Sequence, residues 1–94
     1  MKITWSQRAK NELDETCYFW INKNKSQTYS NKILDETFRK ITIIKENPNI
    51  GIQSRSKNLR RVLVLDNFSL TYRLSKNNIH IVSFFDNRRN SNLL

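Results

Sequence analysis

A chain of 94 residues with 17 Lys and Arg against 8 Asp and Glu, for a formal charge of +9, has room for one domain and one core. Its single cysteine, Cys17, excludes an internal disulfide and a four-cysteine zinc site, and no apolar run approaches the roughly 20 residues of a membrane span. The opening Met1-Lys2-Ile3-Thr4-Trp5 lacks the apolar stretch of a secretory signal, so the expectation is a cytoplasmic protein with its thiol reduced.

Residues 2–5 read as a short strand. Ser6 suits a helix N-cap, and Ala9, Leu13, Cys17, Trp20 and Ile21 recur at steps of three and four, the apolar stripe of a first helix. The stripe makes Cys17 a buried helix position and, with Trp5, makes Trp20 a core residue. Asn22-Lys23-Asn24-Lys25 interrupts it. Ser26 then caps a second helix with the stripe Tyr29, Ile33, Thr37, Ile41 and Ile44, widened by Leu34 and Phe38. So short a turn makes an antiparallel helical hairpin. The only Pro and the only Gly lie together in Asn47-Pro48-Asn49-Ile50-Gly51, which ends the helical half.

After a polar loop over 51–58 the period changes to two. Phe68, Leu70, Tyr72 and Leu74 alternate with Ser69, Thr71 and Arg73. Asp66-Asn67 and Asn77-Asn78 each suit a two-residue hairpin turn, because Asn and Asp tolerate positive φ. Strands at 59–65, 68–74 and 79–85 follow. The fold class is therefore α+β, a single domain over 1–94. A short N-terminal strand leads to an antiparallel helical hairpin packed on one face of a C-terminal three-stranded antiparallel meander.

Those turns predict a register. Leu65 faces Phe68, Leu63 faces Leu70 and Arg60 faces Arg73; Leu74 faces Ile81, Tyr72 faces Ser83 and Arg73 faces Val82. The helix-facing side then holds Leu63, Leu65, Phe68, Leu70, Tyr72, Leu74, Ile79, Ile81 and Phe85, with Arg61 near the edge and its head in water. The other side holds Arg60, Val62, Val64, Ser69, Thr71, Arg73, His80, Val82 and Phe84. Valines and a phenylalanine flanked by arginines form an exposed apolar patch unless a partner covers it. Arg60 beside Arg73 calls for an acidic group or a phosphate between them.

The basic surplus belongs to this half, where Arg55, Lys57, Arg60, Arg61, Arg73, Lys76, Arg88 and Arg89 meet only Asp66 and Asp86. The order of elements resembles the RelE/ParE toxin superfamily. ITWSQRAKNELDE at 3–15 is similar to its opening strand and helix entry, and ENPNIG at 46–51 to its exit from the second helix. LRRVLVLDNFSLTYRLSKNNIHIVSFFDNRR at 59–89 is similar to its arginine-bearing, Tyr-x-Arg and terminal strands. The resemblance implies the toxin of a type II toxin–antitoxin module that inhibits growth. It implies as well a cognate antitoxin that neutralises the toxin by laying an acidic or amphipathic C-terminal segment across it, in a hetero-oligomer with no cofactor, metal or membrane. RelE-like members cut mRNA on the ribosome without a metal, whereas ParE-like members inhibit DNA gyrase.

Metal-free RNA cleavage needs proton-transfer groups and cations around the developing phosphorane. By the resemblance, Arg60 and Arg89 fall where the ribonucleases carry basic groups. Val62 and Ser69 replace two others, and the family's terminal tyrosine would fall past Leu94. His80, the only histidine, reads as solvent-facing at a strand start. Asp86 reads as a partner of Arg88 or a cap on the last turn. The expectation is a ParE-like toxin acting on gyrase or another protein. The alternatives are a ribosome-dependent endonuclease with an altered site, built on Arg60 and Arg89, and a non-toxic basic binding domain. Arg60, Val62, Val64, Arg73, Val82, Phe84, Arg88 and Arg89 are the residues expected to meet antitoxin or target.

Overall fold

The first helix begins where the sequence places it. In the computed structural model, which describes residues 1–55 and 58–90 and the last two by backbone alone, β1 (Lys2–Trp5) runs into α1 (Gln7–Asn24) through Ser6. The Ser6 hydroxyl accepts the Ala9 amide (2.9 Å), satisfying one of the helix's otherwise orphaned donors, and donates to the Val82 carbonyl (3.0 Å). Lys25 ends α1 in the left-handed region (φ 54°). The second helix, α2 (Thr28–Glu46), starts slightly later than Ser26 suggests. Gln27 is its N-cap, and the Ser26 hydroxyl accepts the Thr28 amide instead (3.1 Å).

Ala9, Leu13, Ile33, Ile41 and Ile44 are buried, and Cys17 and Trp20 are half-buried against them. Phe38, expected to widen the stripe, is 53% exposed. Thr16 and Thr37 are buried too, their hydroxyls returned to the Glu12 and Ile33 carbonyls. No described helix is long and apolar enough to cross a membrane.

The strands β2 (Ile52–Gln53), β3 (Leu59–Val64), β4 (Phe68–Ser75) and β5 (Asn78–Asp86) join β1 in one sheet, ordered β1-β5-β4-β3-β2; a short turn, α3 (Asn87–Asn90), follows. β1 adds parallel to β5 and the other pairs are antiparallel. β2 lies inside the segment read as loop, where two residues are too few to show a period. Both long helices lie on one face of the sheet, α1 chiefly on β5 and α2 on β3.

The register departs from expectation at three places. The first hairpin loop is Leu65-Asp66-Asn67, three residues and not two, with Leu65 (φ 51°) and Asp66 (φ 61°) both left-handed. Val64 therefore faces Phe68, Val62 faces Leu70, and Arg60 faces Tyr72. One residue of difference turns the whole strand over. Arg60, Val62 and Val64 point toward the helices, and Arg61 and Leu63 point away. The expected opposition of Arg60 and Arg73 is absent, since Arg73 faces Leu59.

The second turn is Lys76-Asn77, so that Leu74 faces Ile79, Tyr72 faces Ile81 and Arg73 faces His80. A shift of two preserves the faces, and Ile79 and Ile81 are buried as expected. A bulge then reverses them. Thr71 faces Ser83 while Tyr72 faces Ile81, leaving Val82 as the extra residue. Beyond it Phe84 is in the core at 1% exposure and Phe85 is on the other side. The first helix stabilises this bulge. Ser6 holds the Val82 carbonyl, and Glu12 Oε1 accepts the Phe84 amide (3.1 Å).

Candidate partner-binding face

Strand pairing arranges the face away from the helices in three rows. Leu63, Ser69 and Phe85 form the first, Ile52, Arg61, Thr71 and Ser83 the second, and Leu59, Arg73, His80 and Thr4 the third. Ile52 is 72% exposed and Leu63 41%; Arg61 and Arg73 are exposed, while Leu59, Thr71, Ser83 and Phe85 are half-buried. α1 and α2 lie on the opposite face. The C-terminal turn touches this one at Ser69, whose hydroxyl donates to Asn87 Oδ1 (3.0 Å). The His80 ring nitrogen and the Ser75 hydroxyl are 2.9 Å apart. Two guanidinium groups can hold carboxylates or phosphates in bidentate fashion, and the apolar side chains beside them gain by being covered. At the sheet edge the apolar surface continues into a groove of about 340 Å³ between α2 and β3, lined by Lys40, Ile43, Ile50, Ile52 and Leu63 among others.

The predicted face thus exists, with largely different residues on it. Arg73 stands where it was expected, as do Ser69, Thr71 and His80. Val64 and Phe84 are core residues at 0% and 1% exposure, and Val62 packs partly against that core, so none of the three belongs to the open face. Val82, half-buried, is the bulge residue whose carbonyl Ser6 holds. Arg61, expected on the helix side, takes the outward position intended for Arg60. Ile52, Leu63 and Phe85 were not foreseen. An isoleucine on each side of Gly51, in an otherwise polar loop, was the available signal for Ile50 and Ile52.

Arg60 is committed to the loop after α2. Its Nη1 donates to the Asn49 and Gly51 carbonyls (3.1 and 2.9 Å). Tyr72 beside it, fully buried, donates its hydroxyl proton to the Pro48 carbonyl (2.8 Å) and accepts the Gly51 amide (2.9 Å). Burial pushes the Tyr72 phenol above its ordinary value, while the Gly51 N–H and the Arg60 charge pull it partly back. Tyr72 thus packs on the helix-facing side, where the sequence places it, and its hydroxyl both donates and accepts a hydrogen bond there.

At the end of β5, Asp86 does both things expected of it. Its Oδ1 accepts the Arg88 amide (3.0 Å) and faces Arg88 Nε (3.4 Å), while Oδ2 accepts Trp20 Nε1 (3.2 Å). The Arg88 guanidinium lies over the Trp20 ring, 4.6 Å from its centre. The Arg89 side chain lies outside the described residues. Of the two groups proposed for cleavage, Arg60 therefore faces away from the open side. Val62 is on the helix side and Ser69 is bonded to Asn87.

No family model and no curated protein sequence matches this chain. Solved structures do. The chain is similar to one of the chromosomal ParDE toxin–antitoxin system from P. aeruginosa at 18% identity and TM-score 0.74, over 92% of this chain and 95% of that one. It is similar to the YoeB/ParE toxin from Agrobacterium tumefaciens at 14% identity and TM-score 0.68, over 92% and 98%. A chain of the E. coli DinJ-YafQ toxin–antitoxin complex aligns at 13% identity and TM-score 0.55, over 94% and 93%.

Proposed function

We propose that this chain, whose fold is that of the RelE/ParE toxins, is the toxin of a type II toxin–antitoxin module acting in the cytoplasm. A cognate antitoxin holds it inactive by covering the open sheet face. The observation that carries this reading is the face itself, on which Ile52 and Leu63 stand exposed beside Arg61 and Arg73. An amphipathic segment suits it, with apolar side chains over the isoleucine and leucine and carboxylates against the arginines. A net charge of +9 also steers an acidic segment toward the chain. Two of the similar structures belong to toxin–antitoxin assemblies, which supports a hetero-oligomer. In this reading Arg73, Val82 and Arg89 keep the contact role expected of them from the sequence, joined by Arg61 and Leu63.

For the target, the reading is ParE-like inhibition of DNA gyrase or another protein. Its support is the chemistry missing from the ribonuclease pattern. Arg60 is tied to backbone carbonyls, and Val62 and Ser69 bring no cation to the open face. A second reading, metal-free cleavage of ribosome-bound mRNA, draws on Arg61, Arg73 and His80 sharing that face, where a phosphodiester could lie. Expression without antitoxin tests the toxin reading, with growth arrest expected. No arrest would leave a basic binding domain. A gyrase supercoiling assay beside primer extension on translated mRNA separates the targets. Loss of supercoiling without new mRNA ends supports the first, and site-specific cuts that vanish in Arg61→Ala support the second.

A further inference from the structure

Trp20, Tyr29, Phe68 and Asp86 surround a single guanidinium. The Arg88 Cζ lies 4.6 Å from the Trp20 ring centre, 5.2 Å from that of Phe68 and 5.8 Å from that of Tyr29. One of its Nη atoms donates to the Tyr29 hydroxyl (3.0 Å), and its Nε faces Asp86 Oδ1 (3.4 Å). The Asp86 side chain is only 3% exposed, and its other oxygen is held by the Trp20 indole N–H (3.2 Å). The rings hold one another. Trp20 meets Phe19 and Tyr29 edge-on (5.2 and 5.1 Å between centres), and Phe68 stacks on Phe84 (5.4 Å). These groups come from α1, α2, β4 and the end of β5, so contacts among the rings, and not only their contacts with Arg88, hold the cage together.

Such a cage has a definite preference. Aromatic faces attract any cation, but a planar group that can stack on rings while offering N–H donors sideways to a carboxylate and a phenol oxygen is a guanidinium, not an ammonium. The local arrangement agrees. The Lys23 ammonium also reaches Trp20, but only to 6.0 Å from the ring centre, whereas Arg88 sits well inside that distance.

We propose that Trp20, Tyr29, Phe68 and Asp86 form a guanidinium-binding site. Arg88 fills it from within the chain, so the turn after β5 is latched onto the helical hairpin, and the site accepts an arginine side chain from outside when Arg88 is withdrawn. Arg88 then acts as an anchor, and its contact with a partner requires the latch to open. This inference does not depend on the toxin reading.

The test is chemical rescue in a Trp5→Phe background, which leaves Trp20 as the sole tryptophan. Arg88→Ala is expected to lower Tm by roughly 4–8 °C and to shift Trp20 emission. Ethylguanidinium at millimolar concentration should reverse both changes saturably, and ethylammonium should not. Arg88→Lys keeps the charge and gives a second readout should the alanine variant fold poorly. It is expected to behave like an unfilled site and to respond to ethylguanidinium. Rescue by ethylammonium equal to that by ethylguanidinium, absence of any saturable response in both variants, or an Arg88→Lys protein with wild-type Tm and emission would each overturn the proposal.

Discussion

Arg60 and Tyr72 face each other across β3 and β4, and both fasten the same stretch of backbone, Pro48 to Gly51. The loop that follows α2 is thereby tied to the sheet. Gly51 fits between the two side chains because it has none. A Cβ there would lie 2.7 Å from the Tyr72 hydroxyl oxygen and 3.0 Å from the Arg60 Cβ.

Tyr72→Phe strands the Gly51 amide and the Pro48 carbonyl, at a cost of about 1–3 kcal/mol. Gly51→Ala forces the phenol aside at a similar cost, about 1–3 kcal/mol. The double variant should cost less than the sum, because the hydroxyl that the new methyl strikes is gone. Urea unfolding of the four proteins measures this, and strict additivity would disprove the shared contact.

The same phenol makes stability depend on alkaline pH. Burial raises its folded value above that of the unfolded chain, where tyrosine ionises near 10. The unfolded state therefore loses its proton first. This contribution is fully present below about pH 10 and is lost as pH rises through the folded value. Unfolding free energies taken in steps between about pH 9 and 11 should fall less steeply for Tyr72→Phe than for the parent. Equal slopes would mean that Tyr72 is not the group responsible.

Cys17 presents a protected thiol. Burial chiefly, and the Asp14 carboxylate secondarily, raise it above the usual thiol value, so little thiolate is available at neutral pH. Iodoacetamide should label the folded protein slowly and the urea-unfolded protein at the normal thiol rate. Asp14→Asn should speed labelling modestly while leaving Tm within a degree or two. Labelling as fast as in the unfolded chain would contradict the burial.

The two faces of β3 should separate stability from binding. Val64→Ala empties part of the core and is expected to cost about 1–3 kcal/mol. Leu63→Glu and Arg61→Glu lie outside and should change stability by about 0.5 kcal/mol or less. Both should weaken antitoxin binding at least tenfold in calorimetry if the open face is its seat. The reverse pattern, a stable Val64→Ala and a collapsed Leu63→Glu, would restore the register that a two-residue turn predicts.

Elements and their order were legible because their signals act over a few residues. Ser6 accepts an amide three positions on, Pro48 cannot continue a helix, and the change from a step of three or four to a step of two marks where helices give way to strands. That one face of the sheet stays uncovered by the helices was legible as well, since two helices can cover only one side of it, and apolar side chains remain on the other.

Which residues form that face was decided only by tertiary structure. The side of a strand on which a residue stands depends on whether the loop before it has two residues or three, and on whether one residue is left out of the ladder. Leu65 in a left-handed conformation is not written in its side chain. The bulge at Val82 is held by Ser6 and Glu12, which lie 76 and 72 positions from the groups they bind. Turn positions and strand alternation could thus predict an uncovered sheet face with arginines on it. Placing Arg61 and Leu63 on it, and Arg60 and Val64 beneath it, required contacts that form only once helix and sheet have packed.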